Sequence, residues 1–191
     1  MKFIISTDGG AFKKKNGFDA VSAFRIYEED KLIYKESVLL ENRTSNFAEI
    51  FAIYRGLRAI SSYIIHSHIK KANVYLITDS ELCYKSLNTW FEGWLEKAES
   101  TMLMNSSGKP VINQEVIKMA YIHMLRLEKY CDFKLCHINS HESFNDIEKV
   151  RKKFNKTNKL KFNEDEFKLV FVANYETDKM IKETYNNTEE E

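Results

Sequence analysis

The sequence predicts a mixed α/β domain in which three antiparallel strands are followed by further strands that alternate with helices. Three observations lead to this prediction. Short apolar runs of strand type recur along the chain, and between the later runs apolar residues return at helical spacing. The first three runs follow one another without an intervening helical segment, as in an antiparallel meander.

The predicted strands are short, and polar or turn-forming residues bound each of them. They cover residues 2–7, 19–30, 31–41, 73–78 and 132–138. The basic linker AFKKKNG joins the first two, and a Glu-Asp turn joins the second to the third. The fourth run, NVYLIT, is the best candidate for a buried strand in the centre of the sheet.

Four segments are predicted to be helical because apolar residues recur every three or four positions. They are residues 46–65, 80–94, 111–129 and 174–184. Ser45 or Asn46 is expected to cap the first helix, and Ser80 the second. Residues 142–168 are highly charged without a clear period, and residues 186–191 are expected to form a frayed acidic tail.

The composition bounds the class of protein. A chain of 191 residues fits one domain, placed at 1–185 with a basic insertion at about 142–170. A net charge of +1 creates no overall basic field, so a nucleic-acid partner must be argued from local features. Three cysteines cannot all pair, and they lack the short spacing of a zinc site. With no signal peptide and no membrane-spanning apolar run, we expect a cytoplasmic monomer with reduced thiols.

Four acidic residues lie in distinctive local settings. Asp8 and Asp79 each follow an apolar strand. Glu49 lies among apolar neighbours on the first helix, and Asp178 lies on the last helix. Taken singly, each could be a turn former, a helix cap or a surface residue. If the strands before Asp8 and Asp79 are adjacent and parallel, both carboxylates emerge at one edge of the sheet, where open α/β sheets bind ligands.

A cluster of these four carboxylates would need cations, because like charges at short range repel one another. Ligands that are all oxygen favour a hard ion such as Mg²⁺ or Mn²⁺. Two such ions about 3.5–4 Å apart can activate a water molecule and stabilise the leaving 3′ oxygen of a phosphodiester. The acids therefore predict a two-metal site for phosphodiester cleavage.

Short motifs in a fixed order carry a family resemblance. They are Thr7-Asp8-Gly9, Thr44-Ser45-Asn46-Phe47-Ala48-Glu49, Thr78-Asp79-Ser80, His141 and Asn174-Tyr175-Glu176-Thr177-Asp178. Between them, SLNTWFEGW and SSGKPVINQEV match two further family segments. The chain resembles a type 1 ribonuclease H over nearly its whole length, with the exception of about 142–170.

The resemblance implies a ribonuclease H-like fold with a mixed five-stranded sheet. It implies a metal-dependent endonuclease that cuts the RNA strand of RNA/DNA hybrids by a two-metal mechanism and leaves 5′-phosphomonoesters. The ligands of two Mg²⁺ ions, for which Mn²⁺ could substitute, would be Asp8, Glu49, Asp79 and Asp178. His141 would assist proton transfer or product release, unless it is a loop histidine with no role.

The resemblance also implies contacts with the hybrid. Asn16, Ser45 and Asn46 would touch the minor groove, where the 2′-hydroxyl that distinguishes RNA is both donor and acceptor. Thr44 and Asn113 would grip a phosphate of the DNA strand.

Two tryptophans and one insertion have both a functional and an ordinary explanation. Trp90 and Trp94 share a helix face, so they could pack in the core, or Trp90 could contact the DNA sugar as in the family. The insertion at 149–162 interleaves basic residues with Phe154 and Phe162, in the style of a backbone-binding element, although a merely charged insertion is equally open.

Two other functions stay open. The chain could be another ribonuclease H-like DNA nuclease, against which the segment with Trp90 and Trp94 argues. It could instead be a non-catalytic nucleic-acid-binding relative, against which the four intact acids argue.

Overall fold

The computed structural model describes residues 1–15, 17–139 and 146–189, and of residue 189 it describes the backbone only. Five strands form one sheet in the order β3-β2-β1-β4-β5. The strands are β1 (Lys2–Lys14), β2 (Gly17–Glu28), β3 (Lys31–Leu40), β4 (Asn73–Thr78) and β5 (Asp132–His137). Strands β1 to β3 are antiparallel, whereas β4 runs parallel to β1 and β5 parallel to β4. The predicted mixed sheet is confirmed.

Helices cover both faces of this sheet. They are α1 (Ser45–His66), α2 (Glu81–Lys85), α3 (Phe91–Glu96), α4 (Gln114–Glu128), α5 (Ile147–Asn158) and α6 (Glu164–Glu189). None of the helices within the described ranges combines the length and the apolarity that crossing a bilayer requires.

The apolar runs of the parallel strands supply two cores. Successive side chains of a strand point to opposite faces, so Phe3 and Ile5 face one way and Ile4 the other. Phe3 and Ile5 belong to the core under α1 and α4. Ile4 and Ile77 belong to the core under α5 and α6. The continuous hydrophobicity that identified these strands is therefore explained by helices on both faces.

The first strand is longer than its apolar run. We predicted an end at residue 7 and a linker up to the second strand, but β1 continues to Lys14 and pairs with β2 as far as Gly17. Lys14 forms an ion pair with Asp19 across this hairpin. Phe12 stacks on Tyr185 of α6, with ring centroids 3.9 Å apart. The contact between Phe12 and Tyr185 joins residues that are far apart in the chain, so the local sequence could not reveal it.

The start of the first helix and the continuity of the second differ in detail from the prediction. The cap of α1 is Thr44, whose hydroxyl accepts a hydrogen bond from Phe47 N, and not Ser45 or Asn46. Ser80 caps α2 as predicted, by accepting from Cys83 N. The single helix predicted for 80–94 is interrupted by a π-helical turn over Ser86–Trp90.

The segment without a clear period is largely helical, and the final helix is longer than predicted. Helix α5 lies wholly within 142–168, and α6 begins at Glu164 and not at residue 174. α6 also continues to Glu189, so the expected tail is helical up to that residue.

The aromatic residues of the insertion do not face solvent. Phe154 and Phe162 are 3% and 4% exposed, and both pack with Phe167 in the core under α5 and α6. The two phenylalanines therefore do not take part in a backbone-binding surface of the kind that their spacing among lysines suggested. They are the residues that attach the insertion to the sheet.

Candidate active site

Strand register places Asp8 and Asp79 side by side. The parallel pairing of β1 with β4 ends at Thr7 opposite Thr78, so each aspartate is one residue beyond the last pair. The condition on which the convergence of these acids depended, that the two strands are adjacent and parallel, is met, although β1 itself continues past Asp8. Both carboxylates therefore lie at the edge of the sheet where β4 ends.

Glu49 reaches the same edge because α1 crosses β1 at Gly9 without an intervening side chain. A Cβ added to Gly9 would lie 2.5 Å from the Ala48 carbonyl carbon and 2.8 Å from Glu49 Cα, distances that real side chains do not tolerate. Only glycine permits this approach of helix to strand. Gly9 N also donates to Asp8 Oδ1 at 2.7 Å, which helps to orient that carboxylate.

The three acids form one compact group. Each of Asp8, Glu49 and Asp79 offers a carboxylate oxygen, and the three oxygens lie within 4.8 Å of one another. Asp8 is only 9% exposed. Three anionic groups at such separations are unfavourable without a compensating positive charge.

The cost of bringing these carboxylates together appears in the pKa values of Asp8 and Glu49, which are both raised. Burial, and then the neighbouring Asp79 carboxylate, raises the pKa of Asp8 to about 7. Burial, and then the charges of Asp8 and Asp79, holds the pKa of Glu49 well above its usual range. Glu49 Oε2 is buried and has no hydrogen-bond partner among the described residues. An oxygen-only ligand set with an unsatisfied buried oxygen fits a hard divalent cation.

Asp178 lies beside this group but outside it. It lines a small cleft together with Asp79, Asn139 and Asn174. Its carboxylate accepts a 2.6 Å hydrogen bond from Lys182 Nζ, one turn further along α6. Its charge still contributes to raising the pKa of Asp8, and that of Lys182 opposes it. The structure thus gathers three of the four predicted ligands and places the fourth at the rim.

Two asparagines of this cleft were missed as site residues. Asn139 follows β5, where the third parallel strand of the sheet ends, so the strand-end reasoning used for Asp8 and Asp79 would have found it. Asn174 was noted only as part of a motif, but its buried Oδ1 has no hydrogen-bond partner among the described residues. His137 contacts the site through a 3.2 Å contact between its Nε2 and Asp79 O. His141 lies outside the described residues.

Most of the predicted substrate-binding residues share one groove. Asn46, Trp90, Trp94 and Asn113 line an open groove of about 410 Å³. Trp90 is 37% exposed and its ring centroid is 5.8 Å from that of Trp94. A π-helical turn inserts an extra residue and so rotates the side chains that follow, and this turn ends at Trp90.

Two of the remaining predicted contacts, Thr44 and Ser45, lie at the start of α1. Thr44 and Ser45 are exposed there, and the Thr44 hydroxyl is engaged as the helix cap. Asn113 adopts a left-handed conformation, with φ of 59°, and its side chain makes no capping hydrogen bond to α4. Asn16 lies outside the described residues.

The sheet order and the gathered carboxylates define the class of protein, a ribonuclease H-like fold with a candidate metal centre. The family model for RNase H matches residues 1–160. Among curated relatives, ribonuclease H of Solibacter usitatus is 34% identical over 120 residues, which cover 62% of this chain and 72% of the relative. Ribonuclease HI of Campylobacter jejuni is 32% identical over 130 residues, covering 66% and 76%. The chain belongs to the RNase H family, a family of endonucleases.

Solved structures agree on the fold. The foamy viral protease-reverse transcriptase in complex with an RNA/DNA hybrid superposes with a TM-score of 0.60 and 19% identity, over 83% of this chain and 19% of that chain. LC11-RNase H1, isolated from compost by a metagenomic approach, superposes with a TM-score of 0.51 and 21% identity, over 83% and 96%.

Proposed function

We propose that this protein hydrolyses the RNA strand of RNA/DNA hybrids as an endonuclease that leaves 5′-phosphomonoesters. The observation that carries the proposal is the group formed by Asp8, Glu49 and Asp79 at the ends of two parallel strands, in a chain of the RNase H family. The printed names of the relatives and the hybrid-bound neighbour favour the same substrate.

The acids and His141 have separate roles in the proposed reaction. Asp8, Glu49 and Asp79 would hold divalent cations, and Asp178 would be the fourth ligand once released from Lys182. When bound, two Mg²⁺ ions, or Mn²⁺ in their place, would supply an activated water and stabilise the leaving 3′ oxygen. Asp8 and Glu49, whose pKa values are raised, would gain the positive charge that offsets their repulsion. His141 assists proton transfer or product release.

The groove beside the cluster holds the hybrid. Asn16, Ser45 and Asn46 read the minor groove and its 2′-hydroxyls. The phosphate of the DNA strand is bound by Thr44 and Asn113, and the DNA sugar lies against Trp90 and Trp94. Exposure of Trp90 in the groove supports this over burial in the core.

We further propose that residues 1–185 act as one catalytic domain and that the protein works as a cytoplasmic monomer. The cysteines Cys83, Cys131 and Cys136 are free thiols, as expected in a reducing compartment.

The function is tested by incubating the protein with labelled RNA/DNA hybrid, RNA duplex and DNA duplex, each with Mg²⁺ or with EDTA. The expected result is cleavage of the hybrid's RNA strand in Mg²⁺ only, and loss of that cleavage in Asp79→Asn. Cleavage of the DNA duplex would favour a DNA nuclease of the same fold. Binding of the hybrid without cleavage would favour a non-catalytic relative.

A further inference from the structure

The insertion that separates this chain from the family pattern is a rigidly attached helix. Val150 and Phe154 of α5 are buried in the core under α5 and α6. Asn158, 3% exposed, pairs with the edge strand β5: its Oδ1 accepts from His137 N at 2.8 Å and its Nδ2 donates to His137 O at 2.9 Å. The helix therefore covers an open strand edge and presents a fixed outer surface.

That outer surface is basic. On a helix of 3.6 residues per turn, Lys149, Lys152 and Lys156 fall on the side opposite the buried residues, and Lys153 flanks that side; all four are exposed. Glu148 pairs with Arg151 and Lys152. Neither Lys149 nor Lys156 has an ion-pair partner within the described parts of the chain. The helix thus carries at least two lysines whose charge no described acid offsets, Lys149 and Lys156.

The segment that contains this helix is the most one-sidedly basic part of the insertion. Residues 147–162 contain seven lysines and arginines and one acid, whereas the net charge of the whole chain is only +1. The rest of the chain therefore carries more acids than bases. A polyanion would be attracted to this segment more strongly than the net charge of the protein suggests.

The basic surface reaches the rim of the candidate active site. Lys153 lines a shallow pocket with His137 and Asn139. Asn139 in turn lines the cleft that contains Asp79 and Asp178. Lys153 thus lies on the flank of α5 that is nearest to the edge at which the scissile phosphate would be bound.

We propose that the lysine face of α5, formed by Lys149, Lys152, Lys153 and Lys156, binds the phosphate backbone of the hybrid where the duplex passes beyond the catalytic cleft. This inference rests on the proposed function and adds a substrate-binding surface to it. From Lys149 to Lys156 the helix rises about 10 Å, enough to face two or three successive phosphates. Binding there is electrostatic and independent of base sequence.

The test compares two triple variants with the same change in charge. One is Lys149→Gln/Lys153→Gln/Lys156→Gln on α5. The matched control is Lys70→Gln/Lys71→Gln/Lys129→Gln. It removes three exposed lysines near the residues at which β4 and β5 begin, whereas the candidate site lies where these strands end. Both are made in an Asp79→Asn background so that the hybrid stays intact, and affinity is measured by fluorescence anisotropy over a range of salt concentrations.

Each phosphate contact contributes about 0.9 to the slope of log affinity against log salt. The α5 variant is expected to lose about 2 to 3 from that slope and to bind at least about tenfold more weakly at low salt. The control should change the slope by less than about 1. Circular dichroism and thermal unfolding confirm that both variants fold.

Equal slopes of log affinity against log salt in the α5 variant and its parent would overturn the inference. The lysine face would then be a solvated surface or would bind a different acidic partner. Failure of the unmutated protein to cut the hybrid would instead overturn the proposed function. The two failures are therefore distinguishable.

Discussion

The two sides of the candidate site are held in place by different means. Asp8 and Asp79 extend from neighbouring strands, and Glu49 comes from a helix whose backbone touches Gly9, so main-chain packing fixes all three. The Asp178 side chain is 44% exposed and is bound to Lys182 of the same helix. Moving a strand disrupts a close-packed core, whereas rotating a partly exposed side chain costs little. The three-acid group is therefore preformed, and under the proposed function Asp178 would have to be recruited to it.

The largest contrast between the two sides is expected in catalysis. Asp79→Asn should lower kcat/KM on the hybrid by about a thousandfold or more, because it removes a carboxylate from the preformed group. Asp178→Asn should cost about ten- to a hundredfold, because that side chain lies outside the group. The rates are compared at saturating Mg²⁺. Equal losses would mean that Asp178 belongs fully to the group once metal is bound.

The next contrast concerns the backbone contact that delivers Glu49. Gly9→Ala should destabilise the fold by about 3 kcal/mol or more, because the added methyl collides with the backbone of Ala48 and Glu49. Gly93→Ala is the control, since nothing lies within 4 Å of the added atom, and on a helix it should stabilise by about 0.5–1 kcal/mol. Urea unfolding measures both free energies. A mild effect of Gly9→Ala would show that α1 can shift away from β1.

Charge repulsion in the preformed group predicts a pH-dependent stability. The folded pKa of Asp8 is about 7, above the value of 3.8 for an exposed aspartate, so the folded state keeps a proton that the unfolded state releases. Stability of the metal-free protein should therefore fall as pH rises from about 5 to 7, by about 2 to 3 kcal/mol from this group.

The measurement is thermal unfolding in EDTA across this pH range, compared with Asp8→Asn, in which the fall should be smaller by the share of Asp8, while the buried Glu49 contributes the remainder. Saturating Mg²⁺ should remove most of the fall, because bound cations stabilise the charged carboxylates. An identical pH dependence in Asp8→Asn would contradict the assignment.

The smallest effect is expected where the fourth acid meets its lysine. Lys182→Ala should cost no more than about 0.5 kcal/mol of stability, because exposed pairs one helical turn apart are weak. It should also lower the Mg²⁺ concentration needed for half of the metal-induced rise in Tm by about twofold, because Asp178 becomes available. Lys179→Ala, which removes the equivalent pair with Glu183, is the control. Identical Mg²⁺ titrations of the two variants would contradict the recruitment of Asp178.

The sequence predicted most of the fold, because most of the signal was local. The run NVYLIT became β4 at the predicted residues, and its neighbours β1 and β5 run parallel to it. Both acids follow the ends of apolar runs, which is why the proximity of Asp8 and Asp79 could be anticipated. The position of Glu49 was also predictable, although the reason for it, the contact at Gly9, is visible only in three dimensions.

The insertion escaped prediction because few of its residues carry the helical period. In α5 the buried positions are Val150, Phe154 and Asn158, and one of these is polar. Asn158 is buried because its amide replaces a missing strand neighbour of β5, a role that exists only after the sheet has formed. The aromatic residues were misassigned for the same reason, since a phenylalanine among lysines looks exposed until its core is known.

By itself, the sequence determined where the strands lie along the chain, which helix faces are apolar and which acids are candidates for the site. These features depend on periodicity and on strand ends, and both are set by residues that are close together in the chain. The tertiary structure decided which acids meet. Asp8, Glu49 and Asp79 converge because strand register and the absence of a Cβ at Gly9 allow it. Asp178 stays with Lys182 because a flexible side chain takes the nearest opposite charge. Such choices depend on distances between residues far apart in the chain, which only packing can set.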